Sequence, residues 1–139
     1  MVISLLKRWS VATIGYAGCS QEEFIRLLLK NGIQCVIDIR SKPMSKVKYC
    51  NKKQLEALLS SKGISYVYLG KALGGLGYSD YQSYIQRSDF ELGFVRLKAL
   101  AMQKATAIMC LEKRSENCHR RWIASALEQE GWHITHIEQ

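Results

Sequence analysis

One short segment near the end of the chain collects the residue types that acid–base and thiol chemistry use. It begins at Cys110, the last residue but one of an apolar run, continues through Glu112 in a polar stretch and ends in Cys118, His119 and Arg120. Histidine exchanges protons near neutral pH, and a cysteine with a lowered pKa is a nucleophile. The segment therefore predicts a reactive site between a buried strand and the helix that follows it.

The start of that helix is an expected binding site for an anion. Asn117 is a frequent helix-capping residue type, and with Asn117 as the cap, Cys118, His119 and Arg120 occupy the first turn. Unpaired backbone N–H groups and the positive end of the helix dipole lie there. The dipole and Arg120 would also favour a thiolate at Cys118. The competing interpretation is structural: Cys110 fills the core, and Arg120 pairs with a carboxylate.

A second pair of polar residues ends another apolar run. Asp38 and Arg40 are separated by one residue, so in a strand both point to the same side. An acid at this position can hydrogen-bond a ribose, orient His119, or pair with an arginine, and we rank pairing first. If Glu112 lies on a neighbouring strand end, Asp38 and Glu112 form the pair of carboxylates that acid–base or glycosidic chemistry requires.

Alternating hydrophobic patterns predict the elements that position these residues. Strand-like apolar runs cover 11–15, 33–39, 64–69, 105–111 and 132–137. Helical patterns follow Ser20 and Asn51, cover 79–103 with a break near Ser88, and cover 118–130. Residues 70–77 contain four glycines and are predicted to form a mobile loop.

Strands that alternate with helices predict βαβ units in a single α/β domain spanning 1–139. The expected architecture is a Rossmann-like three-layer sandwich with a mostly parallel sheet of about five strands. Ligands of such sheets bind beyond the carboxyl ends of the strands, where the winding direction reverses. The residues predicted to lie there are Tyr16, Asp38, Arg40, Cys110 and Glu112.

Composition favours an anionic partner. The 139 residues include 20 Lys and Arg against 12 Asp and Glu, a net charge of +8, which suits nucleic acid, nucleotides or phosphate esters. Residues 41–53 hold five lysines and no acid, and would contact phosphates, with Tyr49 or Tyr78 stacking on a base. A solvated lysine face is the competing interpretation. The lysines proposed to bind nucleic acid are Lys46, Lys48, Lys52 and Lys53.

Several classes of site are not predicted. The five cysteines are odd in number and include no CxxC motif, so reduced thiols and a cytoplasmic location are expected. His119 falls on a predicted helix, and His133 and His136 fall in one predicted strand but point to opposite faces, which argues against a metal site; nothing indicates a cofactor. No apolar run is long enough to cross a bilayer, and residues 1–9 are too short for a signal-peptide core. The sequence does not indicate an oligomeric state.

Several short motifs, in order along the chain, resemble one known family. They are Thr13-Ile-Gly15-Tyr16, Asp38-Ile-Arg40 with Pro43-Met-Ser45, Leu73-Gly74-Gly75, Cys110-Leu-Glu112, and Cys118-His119-Arg120. These motifs are similar to those of the bacterial and archaeal family named domain of unknown function 488, over about 11–137. The family typically has histidine where this chain has Tyr16, and a longer loop after the Pro-x-Ser. The resemblance implies the fold and these positions to test: Asp38, Arg40, Pro43, Ser45, Cys110, Glu112, Cys118, His119 and Arg120.

Three hypotheses follow from the sequence, and it leaves open whether the protein is an enzyme. The first is an enzyme-like domain that binds or processes a phosphate-bearing ligand, a nucleotide or nucleic acid. Its candidate catalytic residues are Asp38, Glu112, Cys118 and His119, and its candidate anion-binding residues are Tyr16, Arg40, Ser45, Cys110 and Arg120. The second is a DNA- or RNA-binding module without catalysis, which uses the lysine-rich loop and residues 70–77. The third is a thiol-based redox or sulfur-handling protein that uses Cys110 and Cys118.

Overall fold

A computed structural model describes residues 9–111 and 119–138 of the chain. Five strands form one sheet in the order β3-β2-β4-β1-β5, and all four neighbouring pairs are parallel. The strands are β1 (Ser10–Gly15), β2 (Cys35–Asp38), β3 (Ser65–Tyr68), β4 (Thr106–Cys110) and β5 (His133–Ile137). The predicted α/β fold with a parallel five-stranded sheet is confirmed.

Six α-helices in the described residues connect the strands. They are α1 (Gln21–Lys30), α2 (Lys52–Ser61), α3 (Gly70–Leu73), α4 (Tyr81–Ile85), α5 (Phe90–Gln103) and α6 (Arg120–Gln129), with a short 3₁₀ turn at Lys48–Cys50. The first helix starts as the sequence predicts, because the Ser20 hydroxyl accepts a hydrogen bond from the Glu23 N–H at 3.1 Å. The predicted break near residue 88 separates α4 from α5. None of these described helices is long and apolar enough to cross a bilayer.

Each face of the sheet carries its own hydrophobic core. On one face α1 and α2 bury Phe24, Leu28, Leu55 and Leu59 against Ile14, Val36 and Met109. On the other face α4, α5 and α6 bury Tyr84, Phe94, Leu97, Ile123 and Leu127 against Ile37 and Ile108. Because alternate strand residues point to opposite faces, strands covered by helices on both sides are apolar along nearly their whole length.

The strand order creates a crevice at the carboxyl end of the sheet. The chain leaves β1 and β2 toward the face covered by α1 and α2, and leaves β3 toward the opposite face. Strand β4 lies between β1 and β2 and connects onward to α6 on that opposite face. The connections after neighbouring strands therefore diverge, which opens a space above the ends of β1, β2 and β4.

Asn51 lies at the N-cap position of α2, as the sequence predicts, but its side chain does not cap the helix. Instead, its Oδ1 accepts from the Ser45 N–H at 2.9 Å and its Nδ2 donates to the Ser45 carbonyl at 3.0 Å. The side chain thereby closes the lysine-rich loop onto the start of the helix.

Candidate functional site

A cleft of about 330 Å³ opens at the carboxyl ends of β1, β2 and β4. Four residues predicted from the sequence line it together: Tyr16, Arg40, Cys110 and His119. They come from three different strand ends and from the residue that precedes α6. The cleft therefore forms at the strand ends whose following connections run to opposite faces of the sheet.

The centre of the site is a buried ion pair between Asp38 and Arg40. Asp38 Oδ1 accepts from Arg40 Nε at 2.9 Å, and Oδ2 accepts from Nη2 at 2.7 Å. The Arg40 main-chain N–H also donates to Oδ1, at 3.0 Å. The Asp38 side chain is fully buried and that of Arg40 is 6% exposed. Both side chains point to the same side of the strand end, as their spacing predicts.

Two tyrosines hydrogen-bond to this ion pair. The Tyr66 hydroxyl donates to Asp38 Oδ2 at 2.6 Å, and the Tyr16 hydroxyl accepts from Arg40 Nη1 at 3.3 Å. Burial and the neighbouring Asp38 carboxylate raise the pKa of Tyr66 above its usual value. Burial by itself would lower the pKa of Arg40, but the hydrogen bonds and charge of Asp38 outweigh it, so that pKa is raised. Arg40 is therefore a permanently charged group in a fixed orientation.

Arg40 lines the cleft and keeps unused hydrogen-bonding capacity. A guanidinium has five N–H groups, and the described hydrogen bonds to Asp38 and Tyr16 use three of them. Both oxygens of Asp38, in contrast, already accept two hydrogen bonds each. Asp38 is therefore placed to position Arg40, whereas Arg40 can contact a ligand.

His119 forms another wall of the cleft. Its Nε2 lies 3.3 Å from the Ile39 carbonyl oxygen, and because a carbonyl only accepts, Nε2 carries the proton. Burial lowers the pKa of His119, the hydrogen bond to Ile39 opposes this, and the charges of Arg87 and Arg120 lower it further. The imidazole is therefore neutral at pH 7, with Nδ1 unprotonated and able to accept a proton.

Residues 70–77, predicted to be a mobile loop, instead pack against the strand ends. Residues Gly70–Leu73 form α3, and a Cβ on Gly70 would overlap the Arg40 carbonyl oxygen. A Cβ on Gly75 would lie 2.8 Å from His119 Nδ1. Glycine is required at both positions because the backbone passes too close to Arg40 and His119 for a side chain to fit. The segment therefore forms a wall of the site.

Two residues that sequence reasoning missed hold this wall in place. Arg87 donates through Nη2 to the Lys71 carbonyl at 2.8 Å, and through Nη1 to the Gly74 carbonyl. The Tyr84 hydroxyl donates to the Leu73 carbonyl at 2.6 Å. Neither residue belongs to a recognisable motif, because each acts on backbone groups that are distant in sequence. No sequence signal would have identified them.

Arg120 was predicted to lie in the cleft, but it is not among the described residues that line it. It is 1% exposed and donates through Nη1 to the Thr13 hydroxyl at 2.7 Å. That hydroxyl lies 2.6 Å from His136 Nδ1, so Thr13 bridges the arginine and the histidine. Burial and the charge of Arg120 lower the pKa of His136. Arg120, the first residue of α6, therefore contacts β1 through its side chain and does not line the cleft with His119.

The lysine-rich loop presents a second basic surface. Lys42 lines the cleft, while Lys46, Lys48, Lys52 and Lys53 are exposed outside its lining. Ser45 does not line the cleft either, and its hydroxyl accepts from the Val47 N–H at 3.1 Å.

The two tyrosines proposed to stack on bases both pack within the domain. The Tyr49 hydroxyl donates to the Cys19 carbonyl, and its ring packs on Phe24. The Arg87 guanidinium lies 4.7 Å from the centre of the Tyr78 ring.

The described cysteines are buried. Cys19, Cys35 and Cys50 are not disulfide-bonded, and burial raises the pKa of Cys50 to about 12. Cys110 is 1% exposed and disulfide-bonded, so the expectation of reduced thiols is not met at that position. In this state Cys110 cannot act as a thiolate.

Three sequence predictions fall on residues that the structure does not describe. Glu112, Asn117 and Cys118 all lie between the two described ranges, so the predicted chemical roles of Glu112 and Cys118 stay predictions. The predicted cap at Asn117 is wrong, because α6 begins at Arg120 with His119 at the N-cap position. The same ranges contain no group of three or more His, Cys, Asp or Glu side chains that could hold a metal ion.

Comparison with known protein families gives one match. A family model described as domain of unknown function DUF488 matches residues 20–127, well over half of the chain. The matched range includes Asp38, Arg40 and His119, together with the wall formed by 70–77. Curated proteins and solved structures give no match.

Proposed function

The chain belongs to the family described as domain of unknown function DUF488, and we propose that its cleft binds a phosphate-bearing ligand of the nucleotide class. The observation that carries this proposal is the Arg40 guanidinium. It is buried, fixed by Asp38, and belongs to a residue that lines the cleft at the strand ends, and it has N–H groups to spare. A planar fork of donors suits phosphate oxygens, which accept two parallel hydrogen bonds.

Preorganisation supports the proposal. A long arginine side chain normally loses rotamer freedom when it binds a ligand, which costs roughly 0.5–1.5 kcal/mol for an immobilised side chain. In this protein the hydrogen bonds to Asp38 and Tyr16 already fix Arg40. Lys42 adds an exposed positive charge at the same cleft. Binding energy would therefore go into contacts with the ligand rather than into ordering the protein.

If the protein also processes its ligand, His119 is the described residue suited to move a proton. Its neutral imidazole lines the cleft with Nδ1 unprotonated. Asp38 serves as a positioning residue, because both of its oxygens already accept hydrogen bonds. Glu112 and Cys118 remain candidates from the sequence.

A nucleic-acid-binding module is the second candidate function. The exposure of four lysines in 46–53 favours it, because exposed lysines contact phosphates without a preformed pocket. The contacts of Tyr49 and Tyr78 within the domain weaken the stacking part of that hypothesis. For the thiol-based hypothesis, Cys110 is buried and disulfide-bonded, so in this state it is not a nucleophile, whereas a disulfide is compatible with a redox role.

Titration calorimetry with adenosine 5′-monophosphate tests the phosphate proposal. We expect Arg40→Lys, which keeps the charge but loses the planar fork, to weaken binding at least tenfold. Lys42→Gln should weaken it severalfold without affecting the fold, because Lys42 is exposed. The matched control is Arg96→Gln, an exposed arginine on α5, which should bind like the unmodified protein. Equal affinity in all four proteins, or no binding at millimolar nucleotide, would refute the proposal.

A further inference from the structure

The mouth of the cleft is apolar although its floor is charged. Met44, Leu76 and Leu111 line it and are 70%, 67% and 46% exposed. They are three of the eight large apolar side chains that are exposed in the described residues. Single exposed apolar residues are ordinary, but a group of them around a concave site is typical of a binding surface.

These side chains come from separate segments whose backbones are fixed. The Leu76 N–H donates to the Ser41 hydroxyl at 3.0 Å, and the Met44 N–H donates to the Lys42 carbonyl at 2.8 Å. Leu111 follows directly after β4, and its carbonyl accepts from the Ala17 N–H at 2.8 Å. The apolar mouth is therefore held by the same connections that build the cleft.

We propose that the cleft recognises a phosphate monoester with an aromatic group, such as a nucleoside or aryl phosphate. The phosphate lies against Arg40, and the aromatic group lies between Met44 and Leu76. This inference rests on the proposed function, because it assigns the apolar part of the same ligand. It excludes inorganic phosphate and simple sugar phosphates as preferred ligands, since neither has apolar surface to bury at the mouth.

The dimensions of the cleft support a small molecule. About 330 Å³ lies at the lower end of the range of small-molecule pockets, in which a few polar groups orient a mainly apolar ligand. Arg40 and Lys42 supply the charge that complements a phosphate, and methionine adapts its shape to a flat ring.

The test compares ligands that contain the phosphate alone, the aromatic group alone, or both. Inorganic phosphate, ribose 5-phosphate, phenyl phosphate, adenosine 5′-monophosphate and adenosine are titrated into the full chain by calorimetry. We expect the two aromatic phosphates to bind at least tenfold more tightly than ribose 5-phosphate. The double variant Met44→Ser/Leu76→Ser should reduce this preference to less than threefold and leave the affinity for inorganic phosphate unchanged.

The control variant is Leu92→Ser, which removes an exposed leucine from α5, where Leu92 is 78% exposed. It should retain the full preference, and thermal unfolding checks that each variant is folded. Equal binding of phenyl phosphate and ribose 5-phosphate, or an undiminished preference in the double variant, would overturn the inference. If adenosine binds as tightly as its monophosphate and the double variant weakens both, the apolar site stands and the phosphate function fails.

Discussion

Asp38 holds Arg40 through both of its carboxylate oxygens, at 2.9 and 2.7 Å, although only one residue separates the two in sequence. The pair lies at the end of β2, next to β4 and the edge strand β3. Its geometry depends on the whole sheet, because Tyr66 from β3 and Tyr16 from the end of β1 complete its hydrogen bonds. The ion pair thus connects the ends of β1 and β2 with β3 at the cleft.

Asp38→Asn should destabilise the protein by about 3–5 kcal/mol, because it leaves the buried Arg40 charge without its counter-charge. The free energy of unfolding in urea measures this. We also expect weaker binding of adenosine 5′-monophosphate, since the guanidinium loses its orientation, even though Asp38 does not line the cleft.

The control is Glu23→Gln, which breaks an ion pair with Arg26; the Arg26 and Glu23 side chains are 60% and 41% exposed. That pair should contribute less than about 1 kcal/mol. If both substitutions changed the free energy of unfolding equally, the buried pair would have no special role in stability.

Tyr66→Phe isolates the hydrogen bond between the hydroxyl and Asp38 Oδ2. Bonds to charged groups contribute about 1.5–3 kcal/mol, and we expect a loss of stability in that range. Tyr81→Phe is the matched control, because the Tyr81 hydroxyl accepts an exposed bond from Gln129 at 3.2 Å. Urea unfolding of both variants checks the prediction, which a loss no greater for Tyr66 than for Tyr81 would contradict.

The strands and the polar residues at their ends could be predicted from the sequence, because buried parallel strands are apolar runs in which polar residues stand out. Asp38 stands out against its apolar neighbours for this reason, and the structure places Asp38 and Arg40 together as expected. The approach of Tyr16, Cys110 and His119 to the same cleft also follows from parallel strand ends meeting at one edge.

The remaining features depend on contacts that no local pattern encodes. Four glycines in 70–77 indicate mobility by composition alone, but Gly70 and Gly75 permit close approach to Arg40 and His119. Arg87 donates hydrogen bonds to backbone carbonyls of that segment. Because every backbone segment has carbonyls, no sequence pattern identifies these as the acceptors. Arg120 follows His119 directly, yet its side chain is buried against Thr13, because adjacent residues at a helix start point in different directions.

Gly75→Ala should destabilise the protein by about 1–3 kcal/mol, because the new methyl group would overlap the His119 ring. The cause can be isolated with a double-mutant cycle that adds His119→Ala. In that background the space is open, so Gly75→Ala should cost at least about 1 kcal/mol less. Urea unfolding of the four proteins measures the coupling, and additive effects would show that the His119 ring does not restrict Gly75.

His119 should make stability depend on pH. Its pKa is lowered in the folded protein, so below the unfolded value of about 6.5 the unfolded chain binds more protons. The contribution of His119 is therefore fully present above pH 6.5 and is lost as the pH falls below it. In His119→Gln, which can still donate to Ile39, the decline in unfolding free energy between pH 7 and 5 should be smaller. Identical pH profiles for the two proteins would contradict this.

Reversing the charge of the four lysines Lys46, Lys48, Lys52 and Lys53 to glutamate tests the nucleic-acid-binding alternative. Each is exposed, so the change should affect the free energy of unfolding far less than it affects binding. Each lost phosphate contact reduces the slope of log affinity against log salt by about 0.7 for single strands and about 0.9 for duplexes. If this loop binds polynucleotides, the variant should lose most of its affinity and most of that slope.

Net charge alone could weaken polynucleotide binding, because the chain carries +8 and the variant does not. The matched control therefore reverses four other exposed basic residues, Lys30, Lys62, Arg96 and Lys104. Both variants have the same net charge, so a difference between them in fluorescence anisotropy with labelled DNA and RNA reports the location of the contacts. Affinity for both polymers that is unchanged in the loop variant, or reduced equally in the two variants, would remove the lysine-rich loop as a nucleic-acid site.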